Sequence, residues 1–103
     1  MQVDILYFAG CPHHAPTVAR VKQIAAEMGL TVAMSAVQIT TPEEAQQRRF
    51  LGSPTVLVNG VDIDPDAQQR ASYGLSCRVY PGVAGAPPDA MIRAALQASR
   101  PPA

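Results

Sequence analysis

Two cysteines and two histidines are the residues of this 103-residue chain best suited to thiol or metal chemistry. Cys11 lies in the run GCPHH at residues 10–14, and His14 follows it at a spacing of three, about one turn of a helix. An imidazole at that spacing stabilises a thiolate when it is protonated and accepts the thiol proton when it is neutral. The first hypothesis is therefore nucleophilic thiol chemistry at Cys11, with His14 as its catalytic partner.

The same side chains support metal binding as an alternative. Thiolate and imidazole are ligands for soft ions, so Cys11 and His14, with Cys77 as a third ligand, would hold Zn, Cu(I) or Hg(II). So few ligands suit the transfer of an ion better than a permanent structural site. Cys77 has two further interpretations: a disulfide with Cys11, which needs α-carbons within about 7 Å, or packing as a small apolar residue. The sequence leaves these alternatives open.

Composition narrows the partners and the location. Eight basic residues balance eight acidic ones, so no basic surface is expected for the phosphate backbone of nucleic acid. The first residues lack the charged start of a signal peptide, and no run approaches the ~20 apolar residues of a membrane span. A cytoplasmic protein without membrane contact is predicted. The length is that of one domain, which we place at residues 1–99 with a frayed tail at residues 100–103.

Cys11 is predicted to lie at the junction between a strand and a helix. Residues 3–8 are an apolar, strand-forming run in which Tyr7 is a predicted core residue. From residue 12 to residue 28 apolar side chains recur at steps of three and four, which indicates an amphipathic helix that ends at Gly29. Unpaired N–H groups and the positive end of the dipole at the start of such a helix favour a thiolate.

The rest of the chain is predicted to complete an α/β sandwich. Thr41-Pro42-Glu43-Glu44 combines an N-cap, a first-turn proline and a capping-box glutamate, and Asn59-Gly60 is a strong hairpin signal. A right-handed crossover then pairs the first two strands in parallel. The predicted elements are a strand at 31–39, a helix at 42–49, a hairpin at 55–63, a loop at 64–76 with one helical turn near 67–71, a short edge strand at 76–80 and a closing helix after residue 88.

Two motifs give the chain its resemblance to the thioredoxin and glutaredoxin superfamily, over residues 3–63 and the last helix. One is the cysteine of GCPHH directly after the first strand, and the other is GSPTV at residues 52–56, which is similar to the cis-proline loop of that superfamily. The resemblance implies a thioredoxin-like α/β/α sandwich with a mixed four-stranded sheet and about three helices. It also implies a cis Ser53–Pro54 bond, Cys11 as the redox nucleophile, and substrate contacts by Pro12, Ser53 and Pro54.

The chain departs from that superfamily at its second cysteine. His14 occupies the position of the resolving cysteine, so the motif is Cys-x-x-His, as in a small bacterial thioredoxin-like protein without the usual dithiol. The resemblance implies a thiol-disulfide oxidoreductase that acts on a protein or small-molecule thiol or disulfide. Its mixed disulfide is resolved by Cys77 or by glutathione as a co-substrate, and no bound cofactor is expected. The other alternative is a binding module without catalysis, in which Ser53 and Pro54 receive an extended peptide.

Overall fold

The computed structural model of the chain describes residues 1–69, 73–75, 78–80, 83–84 and 86–100. Three α-helices and a mixed sheet of four strands form the body of the fold, as the sequence predicts. A short 3-10 helix lies within the helical turn expected near 67–71, and a separate two-stranded ribbon is added to the fold. The elements in chain order are β1 (Gln2–Tyr7), α1 (His14–Glu27), β2 (Ala33–Gln38), α2 (Pro42–Gln47), β3 (Thr55–Val58), β4 (Val61–Asp62), the 3-10 helix (Ala67–Gln69), β5 (Val79–Tyr80), β6 (Val83–Ala84) and α3 (Asp89–Ala98).

The strand order of the main sheet is β2-β1-β3-β4, which places β1 in the interior. Strands β1 and β2 run parallel because the crossover helix α1 joins them, whereas β3 is antiparallel to both β1 and β4. The β3–β4 turn has positive φ at Asn59 (50°) and Gly60 (83°), the pattern of a tight two-residue hairpin. The pairing of Leu6 with Thr55 brings the end of β1 next to the start of β3.

The sheet separates two apolar clusters, because successive side chains of a strand point to opposite faces. Val3 and Ile5 of β1 pack in a larger cluster with residues of α1 and α3 such as Ile24 and Leu96. Leu6 packs in a smaller cluster on the other face. The fully buried residues of that smaller cluster also include Ile39, Ala45 of α2 and Phe50.

Helix α2 begins as predicted but with a shifted capping box. The Thr41 hydroxyl accepts the N–H of Glu44 at 3.1 Å, as an N-cap should. The Glu44 carboxylate, however, accepts from the backbone N–H of Thr40 (2.8 Å) and from its hydroxyl (2.9 Å) rather than from the N–H of the N-cap residue. The sequence signature therefore marks the correct start of the helix. The Glu44 carboxylate, however, binds the residue before the N-cap instead of the N-cap itself.

Two predicted boundaries are wrong. Helix α1 begins at His14 rather than at residue 12, because the N–H of Cys11 bonds to the carbonyl of Phe8 (3.3 Å) and the chain turns before it becomes helical. The edge strand expected at 76–80 is present only at Val79–Tyr80 among the described residues, where β5 pairs with β6, and residues 76 and 77 lie outside the described part. Arg78, just before β5, donates its N–H to the carbonyl of Ser53 (3.0 Å).

The last part of the chain agrees with the prediction in its helix. Helix α3 runs from Asp89 to Ala98 and packs beside α1, to which the ion pairs Arg20–Asp89 and Arg93–Glu27 join it. Arg100 donates a side-chain hydrogen bond to the carbonyl of Met28 (3.1 Å), and residues 101–103 lie outside the described part. No helix of the described residues combines the length and apolar character needed to cross a membrane.

Candidate functional site

The thiol of Cys11 lies in the turn between β1 and α1. The side chain is half-buried and is not in a disulfide with any described residue. Two hydrogen bonds, which form the Phe8 relay, fix this turn. The backbone N–H of Cys11 donates to the carbonyl of Phe8 (3.3 Å), and the backbone N–H of Phe8 donates to the hydroxyl of Ser53 (3.4 Å). The thiol-bearing turn and the Ser53–Pro54 turn are therefore held at the same end of the β1–β3 pair.

The Ser53–Pro54 bond is cis, as the resemblance implies. Ser53 and Pro54 are both buried, and their carbonyls accept hydrogen bonds from Arg78 and Tyr80. Pro12, in contrast, is exposed beside Cys11. Of the three residues expected to contact substrate, Pro12 is thus at the surface, whereas Ser53 and Pro54 contact protein atoms beneath it.

His14 does not take the position that helical spacing assigned to it. Residues 11–13 precede α1, so Cys11 and His14 do not share a helical face. Among the described residues, no hydrogen bond joins their side chains. The imidazole instead stacks on the ring of Tyr7, with centroids 3.6 Å apart and planes 7° from parallel. Its Nε2 atom is enclosed and has no partner among the described residues. Tyr7, predicted as a core residue, is half-buried and forms part of this site.

The start of α1 offers hydrogen-bond donors next to the thiol. His13 is the N-cap and makes no side-chain capping bond, and the first turn of this helix contains no acidic residue. The first N–H groups of the helix are therefore not taken up by a side-chain cap. An anion beside them gains about 0.3–1 kcal/mol at an exposed position. Cys11 lies two residues before this N-cap.

A buried charge cluster next to this site was missed by the sequence analysis. Arg78 has 0% of its surface exposed, and its guanidinium donates to both carboxylate oxygens of Asp62 (3.0 Å each) and to the hydroxyl of Thr55 (3.1 Å). Asp64 lies 3.7 Å from the same guanidinium, and the ring of Tyr80 packs 4.6 Å from its central carbon. Burial lowers the pKa of Arg78, but the hydrogen bonds and charges of these acids outweigh it and raise the pKa overall.

Arg78 and Tyr80 of this cluster make three hydrogen bonds to the Ser53–Pro54 turn and the residue after it. The backbone N–H of Arg78 donates to the carbonyl of Ser53, and the Tyr80 hydroxyl donates to the carbonyl of Pro54 (2.6 Å). The Arg78 side chain holds Thr55, the next residue along. The sequence carried one signal of this arrangement: Asp62 and Asp64 have the spacing of residues on one face of a strand, and a buried carboxylate needs a cation.

The remaining predicted site residue, Cys77, lies outside the described residues. The structure therefore leaves its pairing with Cys11 as a prediction. Among the residues that are described, no three or more histidine, cysteine, aspartate or glutamate side chains are placed to share a metal ion. Of the three ligands of the metal alternative, Cys11 and His14 lie in the described part of the chain.

Fold and site together define an α/β protein in which an interior strand of a mixed sheet delivers a cysteine to the start of a helix. Comparison of the chain with protein-family models, curated proteins and solved structures returns no match. The assignment of function consequently depends on the geometry and chemistry of the Cys11 site.

Proposed function

We propose that the chain is a thioredoxin-like thiol-disulfide oxidoreductase with Cys11 as its nucleophile. One observation carries this proposal: the half-buried thiol lies before an uncapped helix start, and the Phe8 relay holds it beside the Ser53–Pro54 turn. The thiolate is the reactive form of a cysteine sulfur. Cysteines that are not in structural disulfides are typical of the reducing cytoplasm, where we place the protein.

The chemistry is an exchange of sulfur partners. The Cys11 thiolate attacks one sulfur of a substrate disulfide, a new bond joins Cys11 to that sulfur, and the second substrate sulfur leaves as a thiolate that takes a proton from water. A second thiol then resolves the mixed disulfide. Glutathione attacks the substrate sulfur, forms a disulfide with it and releases Cys11 as a thiolate, whereas Cys77 attacks the Cys11 sulfur, releases the substrate sulfur as a thiolate and forms a Cys11–Cys77 disulfide that glutathione then reduces. Because His14 stands where a second cysteine would resolve the intermediate, that thiol is glutathione or Cys77.

The neighbouring residues have separate parts in this proposal. Pro12 is exposed and borders the thiol, so it contacts the incoming disulfide. Ser53 fixes the end of β1 through Phe8, and the carbonyl of Pro54 is held by the Tyr80 hydroxyl. His14 acts as a positioning residue, since its ring packs on Tyr7 and anchors the first turn of α1. The chemistry itself is assigned to Cys11.

The test is turnover of a glutathione mixed disulfide by the purified, metal-free protein, with glutathione and glutathione reductase regenerating the thiol. We expect Cys11→Ser to reduce the rate about 100-fold or more, because it removes the nucleophile. Mass spectrometry of the wild type after addition of the disulfide should find the adduct on Cys11. Equal rates for wild type and Cys11→Ser would overturn the proposal.

The Cys77→Ser variant identifies the resolving thiol. If glutathione resolves the intermediate, this variant turns over at the wild-type rate. If Cys77 resolves it, the variant accumulates the Cys11 mixed disulfide and turns over slowly. The metal alternative makes a different prediction: no turnover, together with stoichiometric binding of Zn or Cu(I) that both Cys11→Ser and His14→Ala abolish. A binding module without catalysis would retain its peptide affinity in Cys11→Ser.

A further inference from the structure

A cavity of about 140 Å³ lies on the side of the sheet that carries α2, between the end of that helix and β4. Its apolar lining includes the buried side chains of Leu51 and Ala67 and the half-buried side chains of Leu57 and Tyr73. The volume is close to that of an engineered apolar cavity of about 150 Å³ that binds benzene. The cavity is therefore large enough for one ring or a compact branched chain.

Two arginines at the end of α2 add positive charge to this apolar cavity. Arg48 and Arg49 are exposed and line it. Arg48 is near enough to Glu44 to help lower the pKa of that carboxyl, whereas the Arg49 guanidinium has no hydrogen-bond or ion-pair partner among the described residues. Asp62 also lines the cavity, but its carboxylate is held by both Nη atoms of Arg78. The cations that line the cavity and can face a ligand are therefore Arg48, which also lies near Glu44, and Arg49.

The backbone at Arg49 makes this cation unusual. Helix α2 ends in a Schellman motif, with bonds from Arg49 to Gln46 (3.3 Å) and from Phe50 to Ala45 (2.8 Å), and Arg49 has φ 54°. A side chain in this left-handed region brings Cβ close to the carbonyl oxygen, so glycine is preferred there.

Helix α1 ends in the same motif and supplies the comparison within the chain. Its bonds run from Gly29 to Ala26 (3.1 Å) and from Leu30 to Ala25 (2.9 Å), and the left-handed position is a glycine with φ 70°. At α2 the equivalent position carries an arginine that lines a cavity and has no ion-pair partner in the described structure. The arginine therefore lies where glycine would give the more stable backbone.

We propose that this cavity is a binding site for a small carboxylate with an aromatic or compact apolar body. The body of the ligand lies between Leu57 and Tyr73, and its carboxylate pairs with the guanidinium of Arg49. Guanidinium and carboxylate match in shape because two parallel N–H donors meet two oxygens. This site is separate from Cys11, and neither its occupant nor its test depends on the redox proposal.

Benzoate is the probe, with benzyl alcohol as the ring without the charge and acetate as the charge without the ring. Titration of the ¹⁵N-labelled chain should give saturable benzoate shifts at the amides of Leu57 and Tyr73, with weaker binding of both control compounds. We expect Arg49→Gly to weaken benzoate about fivefold to tenfold, the loss of one charge-assisted contact at an exposed guanidinium. Lys22→Gln removes a cation from α1 and should leave the affinity unchanged.

Thermal unfolding separates binding from a structural role of the same arginine. Because glycine suits the left-handed backbone, Arg49→Gly should melt at the wild-type temperature or above it while it loses affinity, and Arg49→Lys should bind benzoate more weakly than the wild type. The proposal is overturned if Arg49→Gly binds benzoate as the wild type does, if benzyl alcohol binds equally well, or if the shifts lie elsewhere. The alkylation rate of Cys11 in Arg49→Gly checks that the thiol site is intact.

Discussion

At the scale of single residues, the stack of His14 on Tyr7 decides what the histidine contributes. The planes are 7° from parallel, and the enclosed Nε2 atom has no hydrogen-bond partner among the described residues. The imidazole therefore contributes through the stacking of its ring. Aromatic pairs contribute about 0.5–1.5 kcal/mol beyond their buried area. This contribution stabilises the first turn of α1, next to the thiol that the proposed chemistry uses.

Two substitutions of His14 separate packing from proton transfer. His14→Phe keeps a flat ring on Tyr7, so we expect Cys11 to be alkylated at about pH 7 at a rate within about twofold of the wild type. His14→Ala removes the ring and should lower the free energy of unfolding by about 0.5–1.5 kcal/mol. Alkylation samples quenched at successive times give the rate at Cys11, and urea unfolding gives the free energy of unfolding. A large slowing in His14→Phe would contradict this assignment and return His14 to acid–base chemistry.

Glu44 gives a prediction of pH dependence. The backbone N–H of Thr40, and then its hydroxyl, hold the pKa of the Glu44 carboxyl below its ordinary value of 4.5. A carboxyl with a lowered pKa stabilises the fold fully above its unfolded pKa, and this stabilisation is lost as the pH falls through the folded pKa. Glu44→Gln should therefore unfold more easily than the wild type at neutral pH. The difference should shrink towards zero as the pH falls below about 4.5 and through the lowered pKa of the folded carboxyl.

The adjacent Glu43 is the control for this pH series, because it lies in the same first turn of α2 and is exposed. Thermal unfolding of wild type, Glu44→Gln and Glu43→Gln over the same pH range is the measurement. A difference between wild type and Glu44→Gln that stays constant at acid pH would mean that the charge of Glu44 does not stabilise the fold.

At the scale of elements, the Arg78 cluster joins β4, the residues before β5 and the Ser53–Pro54 turn. Arg78→Met would leave Asp62 without its cation and the Thr55 hydroxyl without the guanidinium that donates to it. The methionine side chain would still fill much of the space of the arginine. Removal of one partner from a buried ion pair costs about 3–5 kcal/mol. Arg93→Met, which breaks an exposed pair with Glu27, should cost about 0–1 kcal/mol.

The double variant Arg78→Met with Asp62→Leu tests the cause of that loss. Because it removes the Arg78–Asp62 pair and leaves Asp64 as the remaining acid of the cluster, it should recover part of the stability that Arg78→Met loses. Urea unfolding of the three variants beside the wild type measures these differences. A cost below about 1 kcal/mol for Arg78→Met, or no recovery in the double variant, would show that the buried charges are not what the fold depends on.

The elements that the sequence predicted are those with local signals. The Asn59-Gly60 turn, the Thr41–Glu44 cap and the apolar runs of β1 and β3 each specify their own backbone, so their bounds follow from neighbouring residues. The start of α1 could not be located in this way, because the hydrogen bond from the N–H of Cys11 to the carbonyl of Phe8 bends the chain before the helix begins. The pairing of β5 with β6 was likewise missed, since the residue before it is tied to Ser53, far away in sequence.

The candidate site divides in the same way. The resemblance predicted the position of Cys11 and the cis bond before Pro54. The buried Arg78 could not be read from composition, because arginine is usually exposed and its compensating partners, Asp62 and Thr55, lie 16 and 23 positions earlier. The Tyr7–His14 stack depends on two ring orientations that no pattern of residue types specifies.

At the scale of the whole molecule, one sheet separates two clusters that share strand β1. Ile5 and Ile24 lie in the cluster under α1 and α3, whereas Ile39 lies in the cluster under α2. All three side chains are at most 1% exposed, so the same substitution can be made in equivalent surroundings. The sheet backbone lies between the clusters, which lets the coupling within one cluster be compared with the coupling across the sheet.

We expect Ile24→Val and Ile39→Val each to cost about 0.5–1.5 kcal/mol in the free energy of unfolding, and their costs to add within about 0.5 kcal/mol because the sheet separates them. Ile5→Val with Ile24→Val should deviate further from additivity, since both methyl groups are removed from one packed cluster and the neighbours relax together. Urea unfolding with an unchanged m-value measures all five variants. Strong non-additivity between Ile24 and Ile39 would mean that packing changes pass through β1, and the two clusters would then respond as one core.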